Sequence, residues 1–295
     1  MDALTIDRMP DLHDPVAVVA FSGWNDAASA ATDAARFVVR RLGARRFASI
    51  DADAFYDFRE SRPAVQVGFS GQREIKWPQN EFFYARNPTG PHDVIVAIGV
   101  EPGLGWRTFT GAHTGLYRQA GVGLVISLGA LLADVPHTRE VRVTGTAVDP
   151  EVAARLELTT SRYEGPTGIV GVLHDALRRS GVPAASLWAN VPHYITTSQN
   201  PNATAALLRR LSLMTGLSFD LRELASAGER FVNEVNTALE GNPEIADYVR
   251  RLEAAVDSGE AAPPLESSLP AGEELLSDIE DFLRQSRPDE DDGQP

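Results

Sequence analysis

Short apolar runs typical of buried strands alternate along the chain with segments whose apolar residues recur at helical spacing. The first run, residues 16–21, is followed by a turn and by an alanine-rich helical pattern near 26–42. Because parallel strands need a crossover between them, this order predicts a mainly parallel sheet with helices on both faces. Other predicted strands are 47–50, 94–100, 123–128, 141–146 and 184–189, and other predicted helices lie near 107–120, 150–158, 169–180 and 201–214.

One segment departs from this order, because apolar and polar residues alternate on both sides of Ser70-Gly71. A period of two around a turn predicts a β-hairpin, here over residues 63–77, with Val65, Val67 and Ile75 on its apolar face. A two-stranded hairpin is only marginally stable alone. We therefore expect its apolar face to pack either on the chain's own core or on another subunit.

After residue 214 the strand patterns end and only helical patterns follow. Residues 221–239 and 244–256 have amphipathic spacing and are separated by Gly241-Asn242-Pro243. The predicted organisation is an α/β core over 1–216, a helical appendage or lid over 217–256, a linker over 257–271, an amphipathic helix over 272–285 and a disordered acidic tail over 286–295.

The net charge of −14 is concentrated at the end of the chain, where residues 257–295 contain 12 acidic residues against Arg284 and Arg287. The rest is nearly neutral and has no basic stripe, so a nucleic-acid partner is not expected. The absence of cysteine argues against disulfides and thiolate chemistry. With no signal-like start and no apolar run of about 20 residues, we expect a cytoplasmic protein without membrane contact.

Polar side chains follow several predicted strands, at the sheet edge where α/β proteins place ligands. Trp24, Asn25 and Asp26 follow the first strand, and Glu101 follows the strand near 94–100. Asn190 and His193 come directly after the strand near 184–189. These positions predict a pocket at the strand ends, in which Asp26, Glu101 and His193 are the candidates for acid–base chemistry.

Each of these residues also has a purely structural interpretation. Asn25 or Asp26 could cap the following helix, Glu101 could be a solvated loop acid, and His193 could be a satisfied structural group. Thr167 could cap the helix at 169 or help that helix start bind an anion. The familiar nucleotide-binding, hydrolase and metalloprotease motifs are absent, and the six histidines lack ligand spacing, so neither cofactor nor metal is predicted.

Five motifs, in this order along the chain, resemble those of the proteasome assembly chaperone 2 family in its bacterial, actinobacterial-type branch. Together they span roughly residues 15 to 215. They are Ala20-Phe-Ser-Gly-Trp-Asn-Asp-Ala27, Ile98-Gly-Val-Glu-Pro102, Leu128-Gly-Ala-Leu-Leu-Ala-Asp-Val-Pro-His137, Ser161-Arg-Tyr-Glu-Gly-Pro-Thr-Gly168 and Trp188-Ala-Asn-Val-Pro-His-Tyr194.

The resemblance implies a three-layer α/β core similar to that of purine nucleoside phosphorylases. It also implies a homotrimer with the inserted hairpin at the subunit contact and a C-terminal helical part over a pocket. By analogy, that pocket would involve Trp24, Asn25, Asp26, Glu101 and Asn190. The resemblance supplies no catalytic set, so it leaves open whether the protein is an enzyme.

Two functions compete at this point. The first is a pocket-bearing binding or protein-assembly factor that meets its partners through the hairpin, the appendage or the C-terminal segment. The alternative is a small-molecule hydrolase or phosphorylase-like transferase that uses a carboxylate-lined pocket at the strand ends. We favour the first.

Overall fold

A computed structural model describes residues 3–68, 71–87, 90–161, 164–195 and 197–259. Its strands are β1 (Leu4–Ile6), β2 (Val16–Ser22), β3 (Arg45–Ile50), β4 (Ala64–Val67), β5 (Arg73–Lys76), β6 (Asn80–Ala85), β7 (Val94–Val100), β8 (Leu124–Ala133), β9 (Val143–Ala147), β10 (Thr159–Thr160) and β11 (Ala184–Pro192). Its helices are α1 (Ala30–Leu42), α2 (Trp106–Gln119), α3 (Pro150–Arg155), α4 (Ile169–Arg179), α5 (Pro201–Thr215), α6 (Arg222–Leu239) and α7 (Pro243–Ser258), and a short 3-10 helix at Ala27–Ser29 precedes α1.

Nine strands form one sheet in the order β1-β3-β6-β7-β2-β8-β11-β9-β10. The central strands β7, β2, β8 and β11 are mutually parallel, whereas β1, β3 and β6 add antiparallel pairs at one side. At the other side, β9 runs antiparallel to β11. The predicted three-layer α/β fold is confirmed, and the four mutually parallel strands β7, β2, β8 and β11 lie at the centre of the sheet.

The alternation of side chains along β2 divides the core into two layers. Val16, Val18 and Ala20 pack with α1 and α5, while Ala17, Val19 and Phe21 pack with α2 and α4 on the opposite face. Successive side chains of a strand point to opposite faces. A strand with helices on both sides therefore reads as a continuous apolar run, which explains the sequence of β2.

Strands β4 and β5 form the predicted hairpin as a separate two-stranded sheet. Val65 pairs with Ile75 in the antiparallel register, and both strands are exposed along their whole length. Near its base, the ring of Trp77 stacks edge-on against Phe58 at 4.9 Å. In a single chain, the apolar face of the hairpin therefore stays in contact with solvent.

The segment expected as a helical appendage contains helices α6 and α7, which share a small apolar core. Phe231, Val235, Ile245 and Leu252 meet Tyr194, which follows β11. Helix α7 continues to Ser258, so the first two residues of the predicted linker are helical. The other predictions for the C-terminal segment, namely the linker beyond Gly259, the amphipathic helix and the acidic tail, lie outside the described residues.

Three short strands were not predicted. Strand β6 inserts between β3 and β7, and β1 and β10 lie at the two edges of the large sheet. The three are only two to six residues long, and β1 and β6 both pair with β3, from which other elements separate each of them along the chain. Local periodicity carries little signal for such segments, because their hydrogen bonds are made by register with other strands.

Candidate functional site

The turn after β2 brings together Asn25 and Glu101, which follow neighbouring parallel strands. The Nδ2 of Asn25 lies 3.2 Å from Oε1 of Glu101, and Gly23 passes beside the same carboxylate. Gly23 has φ of +130°, a conformation that favours glycine, and a Cβ there would lie 3.1 Å from the Cβ of Glu101. Asn25 and Glu101, which the sequence placed after two separate strands, therefore lie in one cluster in the structure.

Glu101 also fixes the start of α4. Its Oε1 accepts a hydrogen bond of 2.8 Å from the backbone N–H of Ile169, one of the amides that a helix start leaves unpaired. Gly168 lies directly against the pair, since a Cβ there would be 2.6 Å from Asn25 Nδ2 and 2.9 Å from Glu101 Oε1. The carboxylate of Glu101 thus stabilises a helix terminus at a point where three chain segments meet.

Asp26 has a comparable role at the start of α1. Its Oδ1 accepts hydrogen bonds from the N–H groups of Ala31 (2.8 Å) and Thr32 (3.2 Å), and its Oδ2 accepts one from the Thr32 hydroxyl at 2.6 Å. Burial raises the pKa of Asp26, although the hydrogen bonds from Thr32 and Ala31 oppose that shift. The capping interpretation of Asp26 fits these bonds, because both of its oxygens are engaged.

Trp24 stands on the surface beside this cluster, with 66% of the residue exposed. Leu104, Leu131 and Leu132 are exposed as well and follow or end the neighbouring strands β7 and β8. Thr167 is also exposed, and its hydroxyl lies 3.4 Å from the carbonyl oxygen of Gly168. At the carboxyl ends of the central strands, exposed apolar side chains therefore lie near the buried polar side chains of Asn25 and Asp26.

Asn190 and His193 belong to a different part of this sheet edge. Asn190 lines a cavity of about 570 Å³ between the ends of β8 and β11 and the helical appendage. The Nδ1 of His193 lies 3.2 Å from Oδ1 of Asp134, which also accepts a hydrogen bond of 3.0 Å from the hydroxyl of Tyr248. The three acid–base candidates are thus divided between two places, with Asp26 and Glu101 in one and His193 in the other.

Polar contacts that the sequence did not reveal attach the appendage to the core. The Nδ1 of His137 lies 2.8 Å from the Tyr194 hydroxyl, and its Nε2 lies 3.0 Å from Oδ1 of Asn236. Arg139 pairs with Glu253 at 3.2 Å and with Asp257 at 2.8 Å. The motif of residues 128–137 was the available signal, because its last residues form this attachment.

Burial controls the titration of the groups at this attachment. It lowers the pKa of His137, and it raises the pKa of Tyr194 and, together with the hydrogen bond to Asp134, that of Tyr248. These side chains are therefore neutral hydrogen-bonding groups at neutral pH. Across the described ranges, no three His, Asp or Glu side chains gather as metal ligands would.

The model of the PAC2 family matches residues 20–239, which include both strand-end regions and most of the appendage. The chain belongs to the PAC2 family. It is 42% identical to a PAC2 family protein from Streptomyces avermitilis, whose structure matches with a TM-score of 0.74 over 80% of this chain and 100% of the other. It is 40% identical to a Mycobacterium tuberculosis proteasome-assembly chaperone homologue, with a TM-score of 0.72 over 79% of this chain and 99% of that one.

The PAC2 fold extends to archaea. A Pyrococcus furiosus homologue of proteasome-assembly chaperone is 18% identical and covers 86% of this chain and 98% of its own, with a TM-score of 0.56. At that identity the likeness concerns the fold alone. No curated protein matches this PAC2 chain. Among the helices that the structure describes, none is long and apolar enough to cross a membrane.

Two histidines of this PAC2 protein are buried away from the strand ends. His113 on α2 lies among Phe21, Phe82 and Phe109, and burial lowers its pKa to about 3. His174 on α4 lies with its Nε2 2.8 Å from the Ser127 hydroxyl, and burial lowers its pKa to about 4. Both are neutral side chains of the core, and the sequence patterns did not distinguish them from surface histidines.

Proposed function

We propose that this PAC2 protein is a protein-assembly factor that acts in the cytoplasm as a homotrimer built through its hairpin. The observation that carries the proposal is the apolar face of β4 and β5. Val65, Val67, Ile75 and Trp77 are between 46% and 70% exposed. A contiguous apolar surface of this kind is typical of a protein-binding site.

The two faces of the hairpin differ in chemistry. Val65 and Ile75 are cross-strand partners on one face, whereas Gln66 and Glu74 are partners on the other. A two-stranded hairpin that packs against another part of a protein buries its apolar face there and leaves its polar face exposed to solvent. The chain's own core does not cover the apolar face, which favours the second of the two packing partners considered from the sequence, another subunit.

The names of similar proteins support the assembly role. The Mycobacterium tuberculosis and Pyrococcus furiosus proteins are described as homologues of proteasome-assembly chaperones. An assembly factor needs a surface that other chains can reach, and the hairpin and the apolar edge near Trp24 offer two. We infer that the hairpin serves self-association and that the C-terminal segment contacts the protein being assembled.

The trimer is tested by light scattering on the full chain. The wild type should have three times the mass of one chain, and Ile75→Asp with Trp77→Asp should have the mass of one. Burying an unpaired carboxylate in an apolar interface costs at least a few kcal/mol per side chain. Ala64→Asp with Gln66→Asp is the matched control, because it adds the same charge to the same hairpin and should stay trimeric.

The assembly role is tested by mixing the protein with proteasome α and β subunits from the same organism and following ring formation over time. The wild type should accelerate ring formation, and deleting residues 260–295 should slow it while leaving the trimer intact. A monomeric wild type would refute the trimer. Ring formation at an unchanged rate would refute the assembly role.

A further inference from the structure

The cavity of about 570 Å³ beside Asn190 is a candidate ligand site outside the Asn25–Glu101 cluster. It lies between the ends of β8 and β11 and helices α6 and α7. Its volume is within the range of sites that hold small molecules, roughly 300–1,000 Å³. Asn190 and Pro192 line it, whereas the intervening Val191 does not, so it lies on the face of β11 to which these two side chains belong.

Arg142 lies opposite Asn190 in the sheet. The N–H of Asn190 donates to the carbonyl oxygen of Arg142 at 3.1 Å, next to the cross-strand pair of Ala189 and Val143. Cross-strand partners share a face, as the 2.9 Å contact between the hydroxyls of Ser186 and Thr146 shows for this strand pair. The side chains of Arg142 and Asn190 therefore belong to the same face of this strand pair, and both residues line the cavity.

The two arginines at the cavity differ in their partners. Arg139 is already neutralised by Glu253 and Asp257. Within the part of the chain that the structure describes, Arg142 has no ion-pair partner, and the Asn190 carboxamide has no hydrogen bond. Among the described residues, Arg142 and the Asn190 carboxamide are therefore both available to a ligand in this cavity.

Apolar side chains line the cavity as well. Phe231 of α6 and Val256 of α7 line it, and Val141 precedes β9 on the same cavity. Apolar surface of this kind takes the hydrocarbon part of a ligand, while one or two polar groups fix its orientation. The acids Asp134 and Glu140 also line the cavity. These carboxylates would repel a ligand that carries more than one negative charge.

We propose that this cavity binds a small apolar molecule bearing a single carboxylate, which pairs with Arg142 and accepts a hydrogen bond from Asn190. A guanidinium binds a carboxylate through two parallel N–H bonds, and the carboxamide can donate to the same group. A phosphate dianion is excluded on charge, because one free arginine between two acids leaves it undercompensated. The site is independent of the hairpin, so its failure would leave the assembly proposal standing.

The test is isothermal titration of the full chain with 3-phenylpropionate, its neutral amide 3-phenylpropanamide, and phenyl phosphate. Saturable binding is expected for the carboxylate only, and Arg142→Met should weaken it about tenfold or more, which is the usual effect of losing a charge-assisted pair. Arg118→Met removes an exposed arginine from α2 and should leave binding unchanged. Asn190→Ala is a second variant and should weaken binding several-fold.

Four results would overturn the proposal. They are the absence of carboxylate binding, equal binding of the amide, equal or tighter binding of phenyl phosphate, and carboxylate binding that Arg142→Met and Asn190→Ala both leave intact. Light scattering on the same samples separates the two proposals, since the variants at Arg142 and Asn190 should keep the oligomeric mass of the wild type.

Discussion

Lowering the pH from 7 to 5 should destabilise this protein because His113 is held neutral in the folded state. The residue is 1% exposed, its Nδ1 lies 3.1 Å from the hydroxyl of Tyr117, and aromatic rings surround it. Its Nε2 has no hydrogen-bond partner among the described residues. A charged imidazolium there would lack both solvation and a counter-ion, so burial lowers the pKa of His113 to about 3.

The sign follows from comparing the two states. In the unfolded chain, a histidine takes up a proton as the pH falls through about 6.5, whereas folded His113 stays neutral until about 3. Its contribution to stability is therefore full above pH 6.5 and is lost by about 1.4 kcal/mol for each pH unit below that value. Between pH 7 and pH 5 the loss from this residue is about 2 kcal/mol.

The assay is urea unfolding at pH 7 and pH 5, followed by circular dichroism. His113→Leu should reduce the difference in unfolding free energy between the two pH values by about 2 kcal/mol. Phe109→Leu is the control, because it changes the same aromatic cluster without removing a titrating group and should lower stability equally at both pH values. If His113→Leu keeps the full pH difference of the wild type, the assignment of a neutral buried His113 is wrong.

Three further predictions concern the core and the strand-end cluster. His174→Leu should also reduce the difference in unfolding free energy between pH 7 and pH 5 by about 2 kcal/mol. If that difference stays as large as in the wild type, the lowered pKa of about 4 is contradicted. Asp26→Ala removes three hydrogen bonds at the start of α1 and should lower the unfolding free energy at pH 7 by about 2 kcal/mol; a loss within error would argue against the capping role. Gly168→Ala should cost about 1–3 kcal/mol through overlap with Asn25, whereas Gly111→Ala on α2, with open space around it, should be neutral or stabilising; equal effects of the two would refute the close packing.

The local patterns of this chain predicted its central elements well. The apolar run of β2 indicates burial on both faces of the sheet. Asn25 and Asp26, which follow it, are residue types that cap helices and therefore indicate a helix start. The hairpin could also be predicted, because the alternation of apolar and polar residues around Ser70-Gly71 is a local pattern that does not depend on distant parts of the chain. Strand β6 was missed because its place in the sheet depends on pairing with both β3 and β7, and its own six residues do not contain that information.

The partners of the candidate site residues could not be predicted from the sequence. Glu101, Asn25 and the start of α4 meet because β7 and β2 are neighbours in the sheet, and Glu101 then serves as a helix cap. Asn190 lies near the end of β11, a strand of the same parallel set, yet it lines a separate cavity to which α6 and α7 also contribute.

The sequence by itself determined the α/β class, the buried central strands, the hairpin and the family, since these follow from local periodicity and from motifs in fixed order. The tertiary structure decided which polar groups are neighbours and which are neutral. It buried His113 among aromatic rings, engaged Asp26 and Glu101 as helix caps, and left Arg142 without an ion-pair partner in the described part of the chain. Desolvation and pairing depend on contacts between distant segments, and no local pattern contains them.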